Sequence, residues 1–202
     1  LDLPAPYCTP FRSMIAHPDI VRRLNWMGGS GYRTGGAAVI CAVQGTSGHS
    51  LHDGNEPMSP SRGYFFKNGR SYCETISITW QLRDVEPGLG GFACVPGSHK
   101  SNLLINCPDD VRRFERRPHY VAQPAVDAGD VIFFTEALIH GTMPWDGQQE
   151  RRALLYKYSP GHSAWSGNYY DPNQYSNLTE RQQLMMIPPS IGSRPRVTLD
   201  EN

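Results

Sequence analysis

From residue 75 to residue 82 apolar and polar side chains alternate without a break. Ile76, Ile78, Trp80 and Leu82 fall on one face of an extended strand, and Thr75, Ser77, Thr79 and Gln81 on the other. Shorter runs at 37–43, 92–95, 120–126, 131–134 and 153–158 predict further strands, with turns at Pro96-Gly97-Ser98 and Ala128-Gly129-Asp130. Helical spacing is confined to a few places. Residues 9–27 predict a helix in two pieces: Thr9 caps the first, with Pro10 at its first position. Pro18 opens the second, Ile20, Val21 and Leu24 form its apolar face, and Gly28-Gly29 stops it. Residues 109–116 predict one helical insertion capped by Asp109 or Asp110, and a last helix, capped by Asn177 or Thr179, runs through Met186 to Pro188-Pro189. Many short strands joined by Gly/Pro turns predict a mainly β protein. The best fit is a double-stranded β-helix (jelly roll, cupin-like) with a few flanking helices, the early ones packed on one sheet.

Composition narrows the functions. Gly 20 and Pro 17 among 202 residues fit a fold of turns rather than long helices. The formal net charge is zero, and no basic stripe with interleaved aromatics is visible, so no nucleic-acid partner is expected. No apolar run approaches the ~18 residues of a membrane span. Cys8, Cys41, Cys73, Cys94 and Cys107 are odd in number and contain no CxxC. They read as reduced thiols of a cytoplasmic protein, serving as small buried hydrophobes. The tail after Gly161 is rich in Tyr, Asn and Pro. It is expected to cover an open end of the roll or to mediate self-association, which leaves a homo-oligomer open.

The candidate chemistry lies in two distant histidines. His52 sits in Ser50-Leu51-His52-Asp53-Gly54, and His140 ends the run Phe133-Phe134-Thr135-Glu136-Ala137-Leu138-Ile139. Arg151-Arg152 follows within one hairpin's reach. Two imidazoles and a carboxylate hold one face of Fe(II) and leave the other open. An arginine beyond them can clamp a co-substrate carboxylate in a bidentate pair.

These segments resemble the phytanoyl-CoA dioxygenase family. The resemblance is carried by Asp84-Val85-Glu86-Pro87-Gly88, by Gly90-Gly91-Phe92-Ala93-Cys94-Val95-Pro96-Gly97-Ser98-His99-Lys100, and by Ala128-Gly129-Asp130-Val131-Ile132-Phe133-Phe134. His140-Gly141-Thr142 and Arg151-Arg152-Ala153-Leu154 complete it. It spans about residues 11–160, and an N-terminal portion of the domain is expected to be missing. Residues 1–202 are otherwise read as a single jelly-roll oxygenase domain, with 161–202 a C-terminal extension packed on it. The resemblance implies dependence on Fe(II) and 2-oxoglutarate, with molecular oxygen and a small organic molecule as the other reactants. Carried over residue by residue, His52 and His140 are metal ligands. Arg151 holds the distal carboxylate of 2-oxoglutarate with help from Thr142, and Arg152 is the fallback because strand neighbours face opposite ways. Gln81, on the polar face of its strand, is a further candidate for the co-substrate. His49 is a spare imidazole near His52, and His99 reads as structural.

One feature departs from the family pattern. Its first element is His-x-Asp, which puts both side chains on one strand face. Here Asp53 follows His52 directly and the next position is Gly54. Three readings stay open: a bulge swings Asp53 in, Glu56 or Glu74 supplies the oxygen, or no protein carboxylate does and a halide fills its place. Asp53 is the preferred ligand. The chain is therefore expected to be an Fe(II)/2-oxoglutarate-dependent dioxygenase that hydroxylates a C–H bond, releasing succinate and CO2. A halogenase on the same scaffold and a non-catalytic jelly-roll binding protein are the rivals.

Overall fold

The computed structural model describes residues 1–29, 31–53, 59–101, 107–167 and 169–199. Along them run α1 (Thr9–Ile15), α2 (Pro18–Gly28), β1 (Tyr32–Ala42), β2 (His49–His52), β3 (Tyr64–Lys67), β4 (Arg70–Cys73), β5 (Ile76–Gln81) and β6 (Gly91–Cys94). Then come α3 (Asp109–Arg112), β7 (Val131–Thr135), β8 (His140–Met143), β9 (Arg151–Pro160) and α4 (Glu180–Met186). One antiparallel sheet has the order β1-β9-β5-β7 and a second β2-β8-β6, while β3 and β4 form a separate hairpin. The expected mainly β jelly roll is the fold observed.

Alternation on β5 and β9 decides which side chains meet the interior. Ile76, Ile78, Leu154, Tyr156 and Tyr158 pack outward against Ile15, Ile20, Val21 and Leu24 of the early helices and Met185 and Met186 of α4. Tyr158 Oη donates to Ile15 O at 2.9 Å and Tyr156 Oη to Phe11 O at 2.8 Å, tying α1 to the sheet. The opposite faces of β5 and β9 therefore point between the two sheets, carrying Ser77, Thr79, Gln81, Arg151 and Lys157. The second sheet buries Leu51, Ala93, Ile139 and Met143 against Val111 and Phe114. That packing turns their strand neighbours His52, Phe92 and His140 the other way.

Several predicted elements differ from those observed. β1 begins at Tyr32 rather than at residue 37, because Gly35-Gly36 does not end the strand. The pair houses a register shift between Thr34 and Gly36, and a Cβ on Gly35 would come within 3.1 Å of the Trp165 Cβ. Residues 120–126 are not a strand. Pro124 has no N–H to donate, and only the isolated bridges Val85–Val126 and Cys94–Ala122 form there. The β3–β4 hairpin was unforeseen, although Asn68 and Gly69, with φ of 53° and 75°, form the Asn-Gly turn that favours one. Thr9 is the first residue of α1 rather than its cap. α3 stops at Arg112, short of residue 116. α2 runs as expected, and α4 opens on a capping box between Thr179 and Gln182. No helix among the described residues is long and apolar enough to cross a membrane.

Candidate metal centre

β2 and β8 lie side by side, and His52 pairs with His140 in the ladder. Their ring centroids are 4.3 Å apart. The Pro96-Gly97-Ser98 turn helps to set this register: Ser98 Oγ accepts from Ile139 N at 2.8 Å, just before β8 starts. Each imidazole is oriented from behind. His140 Nδ1 lies 2.7 Å from Leu138 O, and His52 Nδ1 lies 2.8 Å from Ser50 O. A carbonyl only accepts, so Nδ1–H donates in both rings and Nε2 is the nitrogen each ring has left to offer a metal. Phe134 packs on His140 at 4.7 Å between centroids, giving that ring an apolar wall.

Burial holds the His140 pKa down to about 4 from its ordinary 6.5, so the ring is neutral at physiological pH. Between those two values the unfolded chain binds a proton that the folded chain refuses. The contribution of His140 to the stability of the metal-free protein is thus present above pH 6.5 and is lost as pH falls toward 4. Urea midpoints of wild type and His140→Gln should converge over that window as the solution is acidified. A constant difference would contradict the assignment.

Asp53 joins the histidines by a local device. β2 carries an extra residue relative to β8 between His49 and His52, and ends there. Asp53 then takes a left-handed φ of 60°, a conformation that Asp tolerates better than most residues. Its side chain turns to the side of the preceding histidine rather than away from it. One ligand atom each from His52, Asp53 and His140 lie within 4.8 Å of one another. Asp53 is 3% exposed, and burial raises its pKa against the opposing pull of His52 and Arg62. Its Oδ2 lies 3.7 Å from His52 Nε2, and its Oδ1 lies 2.7 Å from Arg62 Nε. Of the other carboxylates considered, Glu74 pairs with His162 at 3.6 Å and stands outside the cluster. Glu56 and Gly54 lie outside the described residues.

Arg151 and Thr142 reach one cavity beside this cluster. It has a volume of about 190 Å³, and Ala42, His49, Gly91, Met143 and Trp145 also line it. That is below the roughly 300–1,000 Å³ of drug-sized sites, and the cavity meets the cluster through His49 rather than through His52, Asp53 or His140. Arg151 is buried, and two of its guanidinium nitrogens, Nε and Nη1, have no hydrogen-bond partner among the described residues. A buried cation with unpaired nitrogens is costly unless an anion meets it. The glycine pair of the Gly90-Gly91 motif has a steric reason. A Cβ on Gly91 would come within 3.1 Å of Arg151 Nε, and one on Gly90 within 2.0 Å of Pro144 O. Arg152 is not brought to the site; it points outward and pairs with Glu150 at 2.7 Å. Gln81 is buried on the inner face and donates to Thr79 Oγ1 at 3.0 Å, while its Oε1 has no partner among the described residues. It does not line the cavity that Arg151 lines. His49 lines that cavity and contacts His52, Nδ1 to Nδ1, at 3.1 Å. His99 stacks edge-on against Tyr64, away from the cluster.

Sequence reading missed a second buried acid. Glu136 accepts from Ser77 Oγ and pairs with Lys157 Nζ at 2.9 Å, and that ammonium lies 3.7 Å from the centre of the Trp165 ring. Burial works against its charge, but Lys157 and Ser77 more than offset this and leave its pKa lowered. Its charge acts on both His140 and Asp53. The available signal was a lone carboxylate inside the apolar run from Phe133 to Ile139. Arg62 had no comparable signal.

Residues 38–153 match the family described as phytanoyl-CoA dioxygenase. No curated protein sequence matches the chain. Among solved structures it is similar to HygX from Streptomyces hygroscopicus with iron bound, at 23% identity and a TM-score of 0.64, covering 80% of this chain and 72% of that one. HygX with nickel, 2-oxoglutarate and hygromycin B bound aligns at 22% identity and a TM-score of 0.66 over 77% of this chain and 67% of that one. The nickel complex of the non-haem monooxygenase ThoJ is similar at 15% identity and a TM-score of 0.54, over 78% of this chain and 56% of that one. These likenesses carry the fold, and the match over more than half of the chain carries the family. The chain belongs to the phytanoyl-CoA dioxygenase family and is an oxidoreductase dependent on Fe(II) and 2-oxoglutarate.

Proposed function

We propose that this oxygenase hydroxylates a C–H bond of a small organic molecule, with His52, Asp53 and His140 as its iron ligands. The observation that carries the reading is the convergence of these three side chains from β2, its end and β8 within 4.8 Å. The donor set fits iron: two imidazoles held through Nδ1, with Nε2 left to bind, and one buried carboxylate suit a single face of the ion. When bound there, iron and 2-oxoglutarate supply the activation of O2 and the oxidising power, and succinate and CO2 leave as co-products.

The protein's own part is binding and orientation. Leu138 O and Ser50 O fix the two imidazoles. Arg151 offers its unpartnered nitrogens to the distal carboxylate of 2-oxoglutarate, and Thr142, in the same cavity, adds a hydroxyl. Gln81 supplies a further inward-facing polar group. Phe92 and Phe134 wall His140 with apolar surface and keep water from that side of the site. Asp53 within the cluster favours hydroxylation over halogenation, because a carboxylate stands where a halide would have to bind.

The test is a two-step measurement. Anaerobic addition of Fe(II) and 2-oxoglutarate should produce a weak visible charge-transfer band. Admission of O2 should then yield succinate, chloride should have no effect on the product, and a substrate should gain one hydroxyl oxygen. Absence of the band in folded protein would overturn the reading, and a chloride-dependent chlorinated product would replace it with the halogenase.

A further inference from the structure

We infer that Arg62 is a positioning residue of the metal centre. It holds one oxygen of Asp53 so that the other is presented to the two imidazoles. This rests on the reading of His52, Asp53 and His140 as ligands.

A carboxylate placed directly after a strand histidine has no ladder to aim it. Asp53 sits past the end of β2 in a left-handed conformation, buried to 3% exposure. A buried carboxylate needs a partner to remain ionised. Its two oxygens divide the work. Oδ1 lies 2.7 Å from Arg62 Nε, whereas Oδ2 lies on the His52 side, 3.7 Å from Nε2. The Nε–H is not aligned on Oδ1, so the contact is charge pairing. Its effect is to leave Oδ2 as a single ligand atom on the side of the imidazoles.

Two effects of this guanidinium on an incoming metal oppose each other. Its charge repels a divalent ion, and its contact orients a ligand. The contact joins two buried atoms, Arg62 Nε and Asp53 Oδ1, so it acts on the ligand at short range, while the exposed part of the Arg62 side chain, 32% overall, opens its charge to solvent screening. Partners that orient metal ligands are typically worth about 10–100-fold in metal affinity.

The experiment titrates metal-free protein with Co(II) alone and follows its visible ligand-field spectrum. Wild type, Arg62→Met, Arg62→Lys, Asp53→Asn and the Asp53→Asn/Arg62→Met double variant are compared, with His140→Ala as reference. Arg62→Met should weaken Co(II) binding by about 10–100-fold and alter the spectrum, and Arg62→Lys should recover part of the loss. In the Asp53→Asn background Arg62→Met should add nothing, because Arg62 acts through Asp53. Co(II) binding by Arg62→Met as tight as wild type, or an undiminished effect in the Asp53→Asn background, overturns the inference. If Arg62→Met does not fold by circular dichroism, the same cycle built on Arg62→Lys decides. A wild type whose Co(II) binding is indifferent to His140→Ala sinks the ligand assignment instead.

Discussion

His140→Ala is expected to abolish 2-oxoglutarate turnover while leaving the roll folded. The side chain is buried at the start of β8, and its Nδ1–H bond to Leu138 O aims Nε2 at His52 and Asp53. On the proposed ligand set, removing it leaves two of three donors, too few to hold the metal's face. A bound metal contributes several kcal/mol to such chemistry. At about 1.4 kcal/mol per tenfold change, the loss should be about a thousandfold or more. The fold should survive, since a single hydrogen bond is worth roughly 0.5–1.5 kcal/mol net. The checks are succinate formation, Fe(II) content after dialysis and a thermal melt. Turnover at the wild-type rate in a folded variant would remove the metal assignment.

Arg151→Met should raise the KM for 2-oxoglutarate by about thirtyfold or more, from the roughly 2–5 kcal/mol lost when one member of a buried charge pair is truncated. The structural ground is direct. Arg151 lines the small cavity next to the histidines, burial lowers its pKa, and Nε and Nη1 lack partners. Methionine keeps the stem and loses the fork. Arg151→Lys should recover only part of the affinity, because an ammonium cannot pair two oxygens in one plane. Arg152→Met is the internal control, since Arg152 pairs with Glu150 at the surface and should leave the KM unchanged. Titration of the iron-loaded variants with 2-oxoglutarate, read by the charge-transfer band, separates binding from later steps. Equal KM values for Arg151→Met and wild type would exclude the clamp.

The choice between Arg151 and Arg152 illustrates what a strand pattern reveals and what it withholds. That two neighbours must face opposite ways follows from the pleat alone. Which of them faces inward was settled by β9 packing Leu154, Tyr156 and Tyr158 on the helices, which sends Arg151 between the sheets. The polar face of β5 was ambiguous for the same reason. Its Ser77, Thr79 and Gln81 could have faced solvent, but α1, α2 and α4 cover the other side, so these polar groups are interior. Residues 120–126 misled because apolar content suggested a strand that Pro124 and the neighbouring backbone did not complete.

Asp53 is the sharper case. Strand periodicity predicts a carboxylate pointing away from His52, and Gly54 suggested only that some local irregularity was available. The extra residue in β2 and the left-handed φ of Asp53 are backbone events that no single residue type announces. Glu136 and Lys157 are 21 residues apart in sequence, on the run before β8 and on β9, and meet only when β5, β7 and β9 have paired.

The amino-acid order by itself determined the alternation that makes this a roll of short strands, the turn chemistry, and the family motifs that carry two histidines and an arginine. These are local properties of spacing and side-chain type. Only the tertiary structure decided that Asp53 joins the two histidines, that Arg62 pairs with one of its oxygens, and that Arg151 rather than Arg152 is buried, with nitrogens unpaired among the described residues. Those outcomes depend on which face of each strand is covered, and burial is a property of the packed sheets rather than of any segment within them.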